Sequence, residues 1–203
     1  MICSWLDAQG SSCLELIGFI FGVVNVWLAT RENVWSWPTG IVNATMYTLV
    51  FAREGLYSDT GLQVVYLLLS VYGWYAWLRG GPSRTPLRVT QASRSVAIAV
   101  ATAGTVIWLL LWMITSRIPG ASLAPFDAAL VAASLSAQFM MTRKYRECWM
   151  VWIVTDIAYV AMFAWKGLAL TAVLYAIFTV LAIKGHRDWT RSFRSARTSP
   201  ASY

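Results

Sequence analysis

The sequence predicts an all-α integral membrane protein that crosses the bilayer with seven helices, and three features predict it: scarce charge, uncharged runs as long as a bilayer is thick, and lopsided basic residues. Of its 203 residues 58% are hydrophobic and 12% charged, and the mean hydropathy is +0.57. Soluble domains carry about 25% charged residues, and no polar stretch here is long enough to fold as a separate soluble domain.

Residues 33–52, 60–78 and 95–116 hold no charge. Each supplies the roughly 20 residues that a spanning helix needs. Residues 16–30, 128–142 and 167–183 are shorter uncharged runs extended by weakly charged flanks, and 148–165 is broken only by Asp156. Seven spans sort the basic residues unequally. Arg31, Arg79, Arg84, Arg88, Arg94, Arg143, Lys144, Arg146, Lys184, Arg187, Arg191, Arg194 and Arg197 fall on one side, and Arg53, Arg117 and Lys166 on the other, 13 against 3. Cytoplasmic loops carry the Lys/Arg excess. The chain is therefore expected to span a membrane with its N-terminus outside and its C-terminus in the cytoplasm.

That bias also accounts for the net charge of +7, and no nucleic-acid-binding motif accompanies it. Cys3, Cys13 and Cys148 show no metal or redox spacing, and the single histidine, His186, sits near the basic tail. No metal or cofactor is expected. The first 13 residues carry one charge, Asp7, and no basic stretch, which points to a retained first helix rather than a cleaved signal peptide.

Displaced by 112 residues, the chain matches itself without a gap at 14 of 48 positions. Thr30, Arg31, Trp37, Tyr47, Phe51, Gly55, Gly73 and Trp77 meet Thr142, Arg143, Trp149, Tyr159, Phe163, Gly167, Gly185 and Trp189. Glu15 meets Asp127. The reading is a duplicated three-helix unit in a 3+1+3 arrangement. An external N-terminus (1–13) precedes the first repeat (14–78); a basic cytoplasmic loop (79–94) leads to a linker helix (95–116), the second repeat (123–189) and a disordered basic cytoplasmic tail (190–203). Three is odd, so the linker helix restores direction and the repeats run parallel. Such repeats are related by an axis along the membrane normal, as in the sugar carriers called SWEETs, and place a solute site near the midplane.

Polar groups inside spans are costly and face an interior. Trp149, Trp152, Asp156, Tyr159 and Phe163 recur at steps of three and four, one face of a helix. Asp156 stands about two turns inside its span, where a helix cap has no use. Asp59, Gln63, Tyr66, Ser70, Trp74 and Trp77 form a second stripe; Asn43 and Tyr47 lie a turn apart; Asp127, Ser134 and Gln138 share a face; Asn25 follows Gly18 and Gly22. The candidate substrate-binding residues are Asn43, Tyr47, Gln63, Tyr66, Trp74, Trp149, Trp152, Asp156 and Tyr159. Plainer roles stand beside these. Trp35, Trp37, Trp77, Trp149, Trp165 and Trp189 suit interfacial anchors, Gly18 and Gly22 a close helix contact, Asn43 interhelical glue, and Asp59 and Asp127 helix caps. Aromatic faces with amides and a carboxylate suit a flat, polar or cationic ring, and a sugar would stack on them as well.

Trp-Pro-x-Gly-Ile-Val-Asn (37–43), Leu-Tyr-x-Asp (56–59), Leu-Gln-x-x-Tyr (62–66), Tyr-Gly-Trp-Tyr-x-Trp (72–77), Met-Thr-Arg-Lys-Tyr (141–145) and Trp-x-x-Trp-x-x-x-Asp (149–156) together resemble PnuC-type vitamin transporters. The resemblance runs from about residue 14 to 189. It implies uptake of nicotinamide riboside by facilitated diffusion, trapping by a cytoplasmic riboside kinase, and a homotrimer. It places Gln63, Trp74, Trp152 and Asp156 where members face substrate; position 156 is often Asn in relatives. Thiamine and riboflavin ride the same scaffold in close relatives. Two other classes compete: an intramembrane acid–base enzyme using Asp127 and Asp156, and a binding subunit for a separate ATPase. No Walker A sequence is present.

Overall fold

The computed structural model describes residues 13–53, 57–117, 124–165, 167 and 169–198. Among them run seven α-helices: α1 (Cys13–Thr30), α2 (Ser36–Arg53), α3 (Tyr57–Arg79), α4 (Arg94–Thr115), α5 (Ala124–Thr142), α6 (Cys148–Trp165) and α7 (Ala169–Thr198). Three described segments are by length and composition alone fit to cross a membrane: Thr60–Arg79, Arg94–Thr115 and Cys148–Trp165. Several hydroxyls inside the helices turn back on their own backbone. Thr45, Thr48, Thr105, Thr155 and Thr179 donate to the carbonyls of Ile41, Ala44, Ala101, Val151 and Tyr175 at 2.7–3.0 Å. Such bonds satisfy a polar side chain where lipid offers no partner.

The chain divides into two units, Met1–Leu87 and Arg88–Tyr203. In the first, α2 packs against both α1 and α3; in the second, α6 packs against α5 and α7, and α5 also carries α4. No residue of α4 is buried. It touches α5 through Gly104, which lies against Ser136, and through the Trp108 indole, whose Nε1 donates to the Pro125 carbonyl at 2.9 Å. Ser93 caps its start, accepting from the Val96 amide.

The same joint closes α1 and α5. Asn33 and Tyr145 donate backbone N–H to the carbonyls of Leu28 and Met140 at 3.1 Å, and Glu32 and Lys144 donate to Ala29 and Met141 at 3.0 Å. This is a Schellman cap. Its left-handed residue is usually glycine, yet here it is Glu32 (φ 55) and Lys144 (φ 52). Thr30 and Thr142 are fully buried and bond the carbonyls of Trp27 and Phe139 at 2.8 and 2.7 Å. Every one of these atoms has its counterpart 112 residues on.

Four tryptophans depart from the interfacial role. Trp37 packs edge-to-face on Trp77 with centroids 5.3 Å apart, and Trp149 on Trp189 at 5.4 Å. All four are buried, whereas Trp35 and Trp165 stand exposed. The cause is a glycine opposite each pair. Gly73 and Gly185 let the rings of Trp37 and Trp149 lie on the backbone of α3 and α7; a Cβ on Gly185 would sit 2.6 Å from the Trp149 ring. Near the membrane surface an indole can pack against a neighbouring helix as well as against headgroups, and the small residue decides which.

The basic tail also differs from expectation. Residues 190–198 continue α7 as helix. An ion pair between Lys184 and Asp188, one turn apart, and the Arg146 guanidinium lying 4.7 Å over the Phe193 ring hold the extension. The segment before α4 is likewise fastened. Thr90 exchanges backbone hydrogen bonds with Lys144 and Arg146 at 3.0 and 3.1 Å, and the Glu147 carboxylate accepts from the Ala92 amide at 3.0 Å while pairing with Arg146.

Candidate functional site

In the first unit, Asn43 donates through Nδ2 to the Gly18 carbonyl at 2.6 Å, and Gly22 and Gly18 make room for the Asn43 amide and the Tyr47 ring. Gly40 does the same for Asn25. Asn43 and Tyr47 are thus built into the α1–α2 contact. Tyr47 also stacks toward Phe51 at 5.7 Å. On α3, Gln63 and Tyr66 are half-buried, Ser70 is buried, and Trp74 is 38% exposed. The side chains of Asp59 and Glu15, and Cys3 with any Cys3–Cys13 bridge, lie outside the described residues; Cys148 is buried and free.

In the second unit the α6 stripe divides. Trp149 is consumed by its contact with Gly185 and Trp189. Trp152 is half-buried, and among the described residues its buried indole Nε1 has no hydrogen-bond partner. Asp156 is 3% exposed. Among the described residues no cation pairs with its carboxyl and no group donates to it. The opposite side of α6, with Met150, Val154 and Ile157, is exposed and apolar, so the polar stripe is the inward face.

One turn beyond Asp156, the Tyr159 phenol lies beside Ser134 and within electrostatic range of Asp127 and Asp156. Its ring stands 4.6 Å from Tyr175 of α7, and Phe163 stands 5.3 Å from the same tyrosine. Tyr175 was not among the candidates. Its signal was available: 112 residues before it stands Gln63, a candidate in the first repeat. Asp127 lies exposed in the first turn of α5, where a carboxylate complements the helix dipole.

The first unit differs from the second at two positions of this stripe. Where the second copy has Trp152 and Asp156, the first has Gly40 and Ala44, and Ala44 is buried as Asp156 is. The same helix pairing and loop geometry form with either set. Trp152 and Asp156 are therefore not required by the frame, and the residues they replace are the smallest available.

A model of the nicotinamide mononucleotide transporter family matches residues 12–191. The chain belongs to that family. Among relatives of this PnuC-type family, it is 27% identical over 208 residues to the nicotinamide riboside transporter PnuC of Escherichia coli, covering 90% of this chain and 87% of that one. It is 30% identical over 190 residues to the riboflavin/roseoflavin transporter RibM of Streptomyces davaonensis, at the same coverage. The crystal structure of the vitamin B3 transporter PnuC superposes with a TM-score of 0.72 at 21% identity, over 95% of this chain and 86% of that one. A family of transporters, joined to apolar helices, makes the chain a multi-pass membrane protein of a transporter family.

Proposed function

We propose that the chain carries nicotinamide riboside into a bacterial cell by facilitated diffusion, with phosphorylation by a cytoplasmic riboside kinase keeping the inward gradient. The observation that carries this is the buried, unpaired Asp156 beside the unpartnered indole of Trp152. An ionised carboxylate inside a membrane costs roughly 2.5–3.5 kcal/mol. A cationic pyridinium offsets that cost by its charge and gains about 2 kcal/mol from an aromatic face once water is excluded. Trp152, Asp156 and Tyr159 on α6 recognise the ring. Gln63, Tyr66 and Trp74 on α3 are the first unit's own candidates for contact with the solute. Asn43 and Tyr47, and Trp149, shape the helices behind them.

With this reading go the parallel 3+1+3, SWEET-like arrangement, an N-terminus outside the inner membrane, and a homotrimer with a pathway in each protomer. The matched Schellman caps and tryptophan pairs support the duplication, and the 13-to-3 division of basic residues supports the orientation. A second reading, riboflavin as cargo, is favoured by the similarity to RibM. Thiamine, also cationic, fits the same carboxylate.

Purified full-length chain in liposomes decides among them. Vesicles should fill saturably with labelled nicotinamide riboside without ATP, and Asp156→Asn should weaken uptake of this cation about tenfold, the equivalent of about 1.4 kcal/mol. Equal filling of vesicles with and without protein would sink the transport reading. Riboflavin taken up preferentially, and indifferent to Asp156→Asn, would replace the cargo.

A further inference from the structure

Outside the candidate site, α7 presents a second feature. Its uncharged run ends at Ile183, and Lys184, Arg187, Arg191 and Arg194 follow at helical spacing. At 3.6 residues per turn these four and Val180 fall within an arc of about 80°. Ala182, Gly185 and Trp189, all buried, lie on the opposite side against α6. The basic arc therefore points away from the helix that α7 packs on. Val180 and Ile183 are exposed at its apolar end. A groove of about 340 Å³ runs from Val180 and Ile183 past Lys184 and Arg187 to Arg191, with Asp188 on its edge.

Length places this groove. The 30 residues of α7 span about 45 Å at 1.5 Å each, against a hydrocarbon core of about 30 Å. At least a third of the helix must therefore lie outside the core. The change from Ile183 to Lys184 marks that boundary by composition. Lys184 is already paired with Asp188. No ion pair engages Arg187, Arg191 or Arg194 among the described residues, so their charges are available.

We propose that this groove is a site for one anionic phospholipid, its phosphate held by Arg187 and Arg191, with Arg194 beyond, and the upper part of an acyl chain laid against Val180 and Ile183. Charge complementarity selects the headgroup, because a zwitterionic lipid brings its own cation to the same arginines. Each basic residue near an anionic surface contributes about 1 kcal/mol, a factor of about five in affinity.

The test is thermal unfolding of the full chain in neutral detergent with added phosphatidylglycerol, phosphatidylcholine of matched acyl length, or inorganic phosphate. The midpoint should rise with phosphatidylglycerol alone. Arg187→Gln and Arg191→Gln, made singly, should keep the midpoint seen without lipid and shift the phosphatidylglycerol titration to about fivefold higher concentration each. Native mass spectrometry of the unaltered chain should retain one phosphatidylglycerol in preference to phosphatidylcholine. Equal response to phosphatidylcholine, a response to inorganic phosphate alone, or arginine variants that titrate like the parent would overturn the site. None of these readouts depends on which solute is carried.

Discussion

Replacing Gly185 by alanine tests how the second repeat is held together. The added methyl carbon would stand 2.6–2.7 Å from three atoms of the Trp149 indole, about 1 Å inside the normal carbon–carbon separation of about 3.5 Å. Trp149 cannot retreat freely, because it is buried and its ring meets Trp189 edge-to-face at 5.4 Å. Overpacking of this kind costs about 1–3 kcal/mol, and disturbing the ring pair adds up to about 1 kcal/mol. A loss of about 2–3 kcal/mol follows. In a chain of this size it lowers the midpoint by about 5–10 °C. Thermal unfolding in detergent, read by light scattering and by tryptophan emission, measures it. Trp149→Leu in the same chain should give the methyl room, so the double variant should lose less than the sum of the singles. Gly73→Ala should repeat the result, since Trp37 crowds it in the same way. A Gly185→Ala protein melting within about 1 °C of the parent, or additive losses in the double variant, would refute the close approach of ring and backbone.

Asp156→Ala installs the residue that the first repeat carries at Ala44; the protein should fold with equal or higher thermal stability and lose vesicle uptake of the cationic cargo, and a large loss of stability would make Asp156 a structural residue. Asn43→Leu removes the 2.6 Å bond to the Gly18 carbonyl and crowds Gly22; a loss of about 1–2 kcal/mol is expected, since such bonds between membrane helices average about 0.6 and reach about 1.7 kcal/mol, and an unchanged melting curve would contradict it. Glu147→Ala leaves the Ala92 amide without its partner, which costs about 1–3 kcal/mol; hydrogen exchange should accelerate over residues 88–93 and stay constant in α1–α3, and unchanged exchange at 88–93 would remove Glu147 from its role.

Hydropathy made the seven helices legible, with boundaries near those seen, because a bilayer demands long uncharged runs. The repeat was legible because tryptophan and glycine recur at one displacement. What that displacement meant in space was less so. Trp37, Trp77, Trp149 and Trp189 read as anchors because composition places a residue near a surface without naming its neighbour; the opposing glycines carry that information and lie 36 residues away in each copy. The continuation of α7 was hidden for a similar reason. Arginine and serine suggest a solvated tail, but Trp189 and Phe193 give the helix something to rest on. The Glu147 clamp joins groups 55 residues apart, beyond any periodic signal. Of the candidate site, the α6 stripe was legible as one face of a helix; its division between Trp149, turned to packing, and Asp156, left without a partner, needed the positions of α5 and α7.

Two residue sets that hardly overlap therefore write this molecule. The caps, the glycines Gly73 and Gly185 and the paired indoles recur at matching positions and define shape, while positions 40 and 44 against 152 and 156 differ freely in size and charge. An architecture of that kind lets the side chains on an inward face change without renegotiating how the helices meet, so sequences can diverge there while keeping the same skeleton.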